Sequence, residues 1–212
     1  MRMRATLAIG VTAFVITVFG LAQIAVRAQG GTSTAARNSS NTFSDVAWFH
    51  APGHVQGTPV TGANSVMIRN AEGVSYTVDT SGLTPGDAAT NWWIVFNNPQ
   101  FCSDGGCGAK DFPQNGGDPK VEASAYWATG AIVDANGFVH FSAHQAVGGP
   151  APGQVLFGPS LQNRNAEIHI IIRTHGPAST DPATLHGQLT TFGGACSASN
   201  PCFDQQAARH QP

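Results

Sequence analysis

Apolar side chains recur at every second position in several short runs of this chain beyond residue 64. Val66 and Ile68 share one face of Ser65-Val66-Met67-Ile68-Arg69, and Val74, Tyr76 and Val78 alternate with Ser75, Thr77 and Asp79. A β-strand turns successive side chains to opposite faces, so a period of two dictates half-buried strands. Ala71-Glu72-Gly73 forms a turn between these two runs, which together read as a hairpin. Trp92-Trp93-Ile94-Val95-Phe96 is apolar throughout. Such a strand belongs in the middle of a sheet covered on both faces. Tyr126 to Asp134 and Phe138 to His144 flank Asn136-Gly137, a strong hairpin-turn signal. Ile168-His169-Ile170-Ile171-Ile172 predicts a further strand, and Leu185 to Phe192 a last one. No segment carries a sustained helical stripe, and 25 glycines and 13 prolines punctuate the whole. These features predict an all-β fold: an antiparallel β-sandwich of Ig-like or fibronectin III-like type.

The ends of the chain read differently. Met1-Arg2-Met3-Arg4 is a short basic segment, followed by an apolar stretch from Ala5 to Val26 and the small-residue exit Val26-Arg27-Ala28. This predicts a signal peptide over residues 1–28, with Gln29 as the mature N-terminus and a secreted or periplasmic, bacterial destination. The alternative is a retained anchor, because a largely apolar stretch of 22 residues can cross a bilayer with some tilt. Residues 29–44 (QGGTSTAARNSSNTFS) are almost devoid of apolar side chains and are expected to form a flexible lead. The sandwich domain is expected over residues 45–203, with Trp48 and Phe49 as its first anchors and residues 204–212 as a tail. Beyond residue 28 the chain holds seven basic and twelve acidic residues, a net charge of −5. A mildly acidic surface excludes the basic footprint that nucleic acids or anionic membranes select.

Four cysteines, Cys102, Cys107, Cys196 and Cys202, lie in the exported part, and an even count in an oxidising compartment predicts two disulfides. Each neighbouring pair is set among turn-forming residues, which favours Cys102–Cys107 and Cys196–Cys202. Rings this small remove only roughly 2 kcal/mol of unfolded-state entropy and act on loop shape more than on the fold. A zinc site built on the cysteines is the alternative, although it usually has two-residue spacings where four and five occur here.

The run Ser75-Tyr76-Thr77-Val78, Gly82-Leu83-Thr84-Pro85-Gly86-Asp87 and Trp93-Ile94-Val95 resembles the corner between sandwich strands in fibronectin type III-like domains. The resemblance implies that Leu83 plugs the core while Pro85-Gly86 turns the chain between sheets. Ala89 stands where that family has its corner tyrosine. Gly82-Leu83-Thr84-Pro85-Gly86, with His169 and His175-Gly176-Pro177-Ala178, is similar to the repeat of CHRD domains in secreted bacterial proteins. The chain as a whole resembles an uncharacterised group of exported bacterial β-sandwich proteins with a Cys-bearing loop after the Trp-rich strand. These resemblances imply fold and location and carry no catalytic role.

Eight histidines supply the most conspicuous chemistry. His140 and His144 share one face of their predicted strand, as do His169 and His175 of theirs. If those strands are neighbours, four imidazoles converge into a Zn or Cu site, with Asp134 and Glu167 as supporting acceptors. The simpler alternative is that alternation merely requires polar residues on an outward face. His50 and His54 form an HxxxH, but Pro52-Gly53 breaks the helix a zinc protease needs, and its glutamate is missing.

The segment from Asn97 to Lys120, pinned by Cys102–Cys107, exceeds ordinary loop length. Its three aspartates, Asp104, Asp111 and Asp118, with Trp92 beside it, mark it as a candidate for a protein or saccharide partner or for weak Ca²⁺ binding, without the EF-hand spacing. No nucleophile elbow is present, and three glutamates offer little for glycoside cleavage. The sequence therefore points to an exported non-enzymatic module with a binding or structural role and no cofactor. A histidine-based Zn or Cu protein is the alternative.

Overall fold

In the computed structural model the structure describes residues 39–212; the predicted signal segment and most of the lead lie outside them. Among the described residues ten strands form two antiparallel sheets. In chain order they are β1 (Ser40–Ser44), β2 (Val46–Trp48), β3 (Asn64–Asn70), β4 (Gly73–Thr80) and β5 (Asp87–Phe96), then β6 (Ala123–Ile132), β7 (Val139–Gln145), β8 (Val155–Phe157), β9 (Glu167–Pro177) and β10 (Phe203–His210). One sheet has the order β1-β3-β4-β7, and the other has the order β2-β10-β9-β5-β6-β8. The expected all-β sandwich is present.

Strand β5 holds the centre of the larger sheet between β9 and β6, as its two-faced apolar pattern requires. Its Trp93 and Val95 face the smaller sheet and pack with Tyr126, Ile168, Ile170 and Phe141 in the shared core. The β3–β4 hairpin pairs Asn64–Asn70 with Gly73–Thr80 in unbroken register. Gly73 has φ +147°, and a Cβ there would stand 2.2 Å from the Gln145 carbonyl, so only glycine lets β7 pass. Between β4 and β5 the chain crosses from one sheet to the other, and Leu83 is buried in the core at that crossing.

Four expectations need correction. Asn136-Gly137 does not close a hairpin: β6 and β7 belong to different sheets, and the turn is a corner held by Asp134, whose side chain accepts from the N–H groups of Asn136 and Phe138. Leu185 to Phe192 is not a strand. Helix α1 (Pro182–Thr190) covers most of it, started by Asp181, which accepts from Thr184 N–H, with Pro182 in the first turn. The lead is not flexible to residue 44, because Ser40–Ser44 pairs with β3. The last residues are not a tail: Phe203–His210 pairs with β9 on one side and β2 on the other. Both misread strands are rich in Ser, Asn, Gln and Ala, and their backbones are held by ladder bonds that hydropathy does not register.

Candidate functional site

The outward face of the larger sheet carries Thr90, Trp92, Ile94 and Phe96 from β5, and Glu167, His169, Ile171, Arg173 and His175 from β9. So much apolar surface is not left to water, and two irregular segments cover it from opposite ends. At the Phe96 end the segment following β5 folds down as a series of 3₁₀ turns. Phe112, Cys107 and Val121 pack on Phe96 and Ala123. Asn97, fully buried, anchors its start by donating to the Glu122 and Ser160 carbonyls and accepting from Gln162 N–H. At the other end α1 lies over β6, with Trp127 Nε1 donating to the Leu189 carbonyl at 2.8 Å. Phe192, just beyond α1, packs edge-on against Trp92.

Between the two covers lies a cavity of about 970 Å³. Trp92, Ile94, Ala125 and Ile171 form its floor; Phe112, Phe157, Phe192 and Phe49 stand around it. This size and apolar lining match a small-molecule pocket. Two polar groupings border it. Glu167 Oε1 accepts from His169 Nε2 at 2.8 Å and from Arg209 Nε at 2.7 Å. Burial works against the Glu167 charge, yet these two donors hold its pKa below the usual carboxylate range. Arg173 donates to Asp204 at 2.6 Å and to the Phe192 carbonyl at 2.9 Å, while its guanidinium lies 3.8 Å over the Phe192 ring. Arg173 therefore fixes one wall of the cavity.

The four histidines do not converge. His140 and His144 stand on β7 of the smaller sheet, and His169 and His175 on β9 of the larger. Along a strand the members of each pair are separated by about 13 and 20 Å respectively, at about 3.3 Å per residue. His140 Nδ1 is bonded to Asp79 at 2.8 Å, His144 Nδ1 to Ser75 Oγ at 2.9 Å, and both are exposed. Asp134, expected as a supporting acceptor, is spent on its own turn. His50 and His54 are not on a helix; His50 stacks on Phe49 and His54 on Trp48.

Of the four, His175 is fully buried. Its Nδ1 lies 3.0 Å from the Gly194 carbonyl and its Nε2 2.8 Å from Thr90 Oγ1, which also accepts from Trp92 Nε1 at 2.8 Å. The bonds close with a neutral ring that donates from Nδ1 and accepts at Nε2. Burial pushes its pKa down to about 4 and nearby Arg173 adds to this, against the opposing pull of Gly194 and Asp204. Both expected disulfides are present, Cys102–Cys107 and Cys196–Cys202. The second abuts His175, with Nδ1 at 3.4 Å from Cys202 Sγ and 3.8 Å from Cys196 Sγ. Among the described residues, this is the grouping of three His, Cys, Asp or Glu side chains whose ligand atoms lie close enough for one ion. The histidine pattern placed His175 correctly on its strand. The cysteines come to it through a loop closure, for which one-dimensional spacing carries no signal.

Two aspartates of the long segment, Asp111 and Asp118, serve its backbone. Asp111 is buried and accepts from Ser103 and Gly108 N–H, both at 2.8 Å, which braces the Cys102–Cys107 ring. Asp118 accepts from Lys120 N–H, and Asp104 lies in the turn Ser103–Gly105. Trp92 is 1% exposed, a buried side chain as the wholly apolar run 92–96 implies, and not an open platform for a saccharide. The segment is pinned by its disulfide and largely exposed, and it turns Cys107, Phe112 and Val121 inward onto Phe96. Among the described residues no helix is long and apolar enough to cross a membrane. No protein-family model, curated protein or solved structure matches the chain.

Proposed function

We propose that this chain is an exported, non-enzymatic binding module that holds a small, largely apolar molecule on the outer face of its larger sheet. The cavity carries this reading: about 970 Å³, floored by aliphatic side chains, Ile94 foremost, and walled by four phenylalanines. Such a volume accommodates a drug-sized molecule, and the apolar floor would supply most of the binding free energy. His169 and Asp204 at the border offer a hydrogen-bond partner to one polar end of the ligand. The N-terminal segment and the two disulfides support action outside the cytoplasm.

The test is titration with a neutral apolar fluorophore, N-phenyl-1-naphthylamine, read by energy transfer from tryptophan. Saturable one-to-one binding is expected. Ala109→Trp, at an exposed position on the cavity wall, should weaken it at least tenfold while leaving the melting temperature unchanged, and Ile94→Asp should abolish it. No saturable binding, or binding indifferent to both substitutions, sinks the reading.

A further inference from the structure

The corner where β9 meets the segment after α1 holds a neutral imidazole against a disulfide, and its distances are those of a different bond set. In a tetrahedral zinc site with Zn–N near 2.1 Å and Zn–S near 2.3 Å, a nitrogen and a sulfur ligand stand about 3.6 Å apart. His175 Nδ1 lies 3.4 Å from Cys202 Sγ and 3.8 Å from Cys196 Sγ, on either side of that value. The one separation that does not fit is between the sulfurs, which are covalently joined and would have to reach about 3.8 Å in such a site.

The imidazole is also supported from behind. A metal-bound histidine characteristically holds its second nitrogen in a hydrogen bond that fixes ring and tautomer. Thr90 Oγ1 stands 2.8 Å from Nε2 and takes the Trp92 Nε1–H; its hydroxyl donates to Nε2 in the present tautomer and can equally accept from Nε2–H once Nδ1 is a ligand. Both sulfurs are half-buried, and the intervening Ser197-Ala198-Ser199-Asn200-Pro201 loop is largely exposed, so a reductant and an ion have access.

We propose that reduction of Cys196–Cys202 converts this corner into a zinc site, with the two thiolates and His175 Nδ1 as ligands and a fourth position open. A dithiol reductant supplies the two electrons and two protons: the S–S bond breaks, two thiols form, and the reductant closes to its own disulfide. Zn²⁺ then displaces one proton from each thiol. The Nδ1 proton is lost as Nε2 gains one, so the ring stays neutral and Nε2–H donates to Thr90 Oγ1. Oxidised protein lacks the thiolates and holds no zinc, which makes metal occupancy a readout of redox state. Thiolate and imidazole together suit this borderline-soft ion.

The experiment uses the full exported chain carrying Cys102→Ser and Cys107→Ser, so that one reducible bond remains. The protein is reduced with a phosphine, titrated with Zn²⁺ against a chromophoric chelator, and examined with Co²⁺ for a thiolate charge-transfer band. Tryptophan emission monitors the fold. One equivalent of zinc bound by the reduced, folded variant and none by its oxidised form is expected. His175→Gln should weaken binding at least tenfold with both thiols intact, and adding Cys196→Ser and Cys202→Ser should abolish it. Equal uptake by the oxidised form, uptake indifferent to His175→Gln, no uptake by the folded reduced protein, or unfolding on reduction would each overturn the proposal.

Discussion

Ser65 Oγ on the smaller sheet and His210 Nε2 on the last strand of the larger one lie 2.8 Å apart, a polar bond across the sandwich interior. His210 Nδ1 is 3.0 Å from Thr42 Oγ1, and the Ser65 hydroxyl also reaches the Thr77 carbonyl. Two further bonds cross the same interior: the Tyr76 hydroxyl to Asn91 Oδ1, and Thr80 Oγ1 to Gln206 Oε1 at 2.6 Å. The two sheets are thus registered by satisfied polar pairs as well as by packing. A slip of either sheet would leave buried polar groups without partners, which costs roughly 1–3 kcal/mol each.

This seam makes stability depend on pH. Burial, reinforced by Arg69 and His169, pushes the His210 pKa down to about 4, and burial does the same for His175. The unfolded histidines titrate near 6.5, so below that pH the unfolded chain takes up protons the folded chain refuses. Their contribution is whole above pH 6.5, falls as pH drops, and is lost by about pH 4. Each histidine accounts for on the order of 3 kcal/mol. Urea midpoints should be flat from pH 8 to 7 and decline steadily from 6.5 to 4.5. His210→Gln should flatten roughly half of that slope. An unchanged midpoint down to pH 5 would show that neither ring is held neutral by burial.

Arg69 provides a second test. Its guanidinium is 2% exposed and donates to the carbonyls of Arg164, Ala166, His210 and Gln211, with no carboxylate among these partners. Burial pushes its pKa down to about 10. The side chain ties β3 to the start of β9 and the end of β10, so it replaces a hydrophobic plug with hydrogen bonds to loop carbonyls. Arg69→Ala leaves those carbonyls unpaired beside a void and should cost at least about 3 kcal/mol in chemical denaturation. Arg69→Lys, with one donor head for four acceptors, should recover less than half of the loss.

How much of this was legible in the sequence follows from which interactions are periodic. Val74, Tyr76, Val78 and the Ile168, Ile170, Ile172 stripe declare their faces by alternation, and the central place of β5 follows from its two apolar faces. Strand partners are another matter. Asn136-Gly137 has the local chemistry of a hairpin, yet tertiary packing sends its two flanks into different sheets. The helix at Pro182–Thr190 was announced by Asp181-Pro182, a cap followed by a first-turn proline, while its weak amphipathicity concealed it. The cavity is half visible in the sequence: Trp92 stands beside the long segment, but Phe49, Phe157 and Phe192 come from three separate places in the chain.

Gly130 tests how the second cover is seated. A Cβ there would lie 2.2 Å from the Leu189 carbonyl, the same oxygen that accepts from Trp127 Nε1. Backbone contact this close cannot be relieved by a side-chain rotation, so Gly130→Ala should lift the end of α1 from β6. Loss of the indole bond and local packing should cost roughly 1–3 kcal/mol. Trp127 emission should shift to the red, and apolar-probe affinity should fall as Phe192 loosens. Native stability and emission in Gly130→Ala would mean that α1 does not rest on this contact.

Asp111 tests the first cover and separates carboxylate from disulfide. Its two oxygens take the N–H groups of Ser103 and Gly108, which bracket the Cys102–Cys107 ring. Burial opposes its charge, but these backbone donors hold its pKa below the ordinary carboxylate value. Asp111→Asn keeps one acceptor and puts an amide against the other N–H, leaving a donor facing a donor. The disulfide constrains the unfolded chain by roughly 2 kcal/mol, whereas the carboxylate shapes the folded segment that presents Phe112 to the cavity. Asp111→Asn should therefore weaken N-phenyl-1-naphthylamine binding severalfold while lowering the melting temperature by only a few degrees. Cys102→Ser with Cys107→Ser should show the reverse emphasis, with more stability lost and affinity nearly kept. If the disulfide variant loses affinity and Asp111→Asn does not, the covalent ring and not the carboxylate sets the shape of that wall.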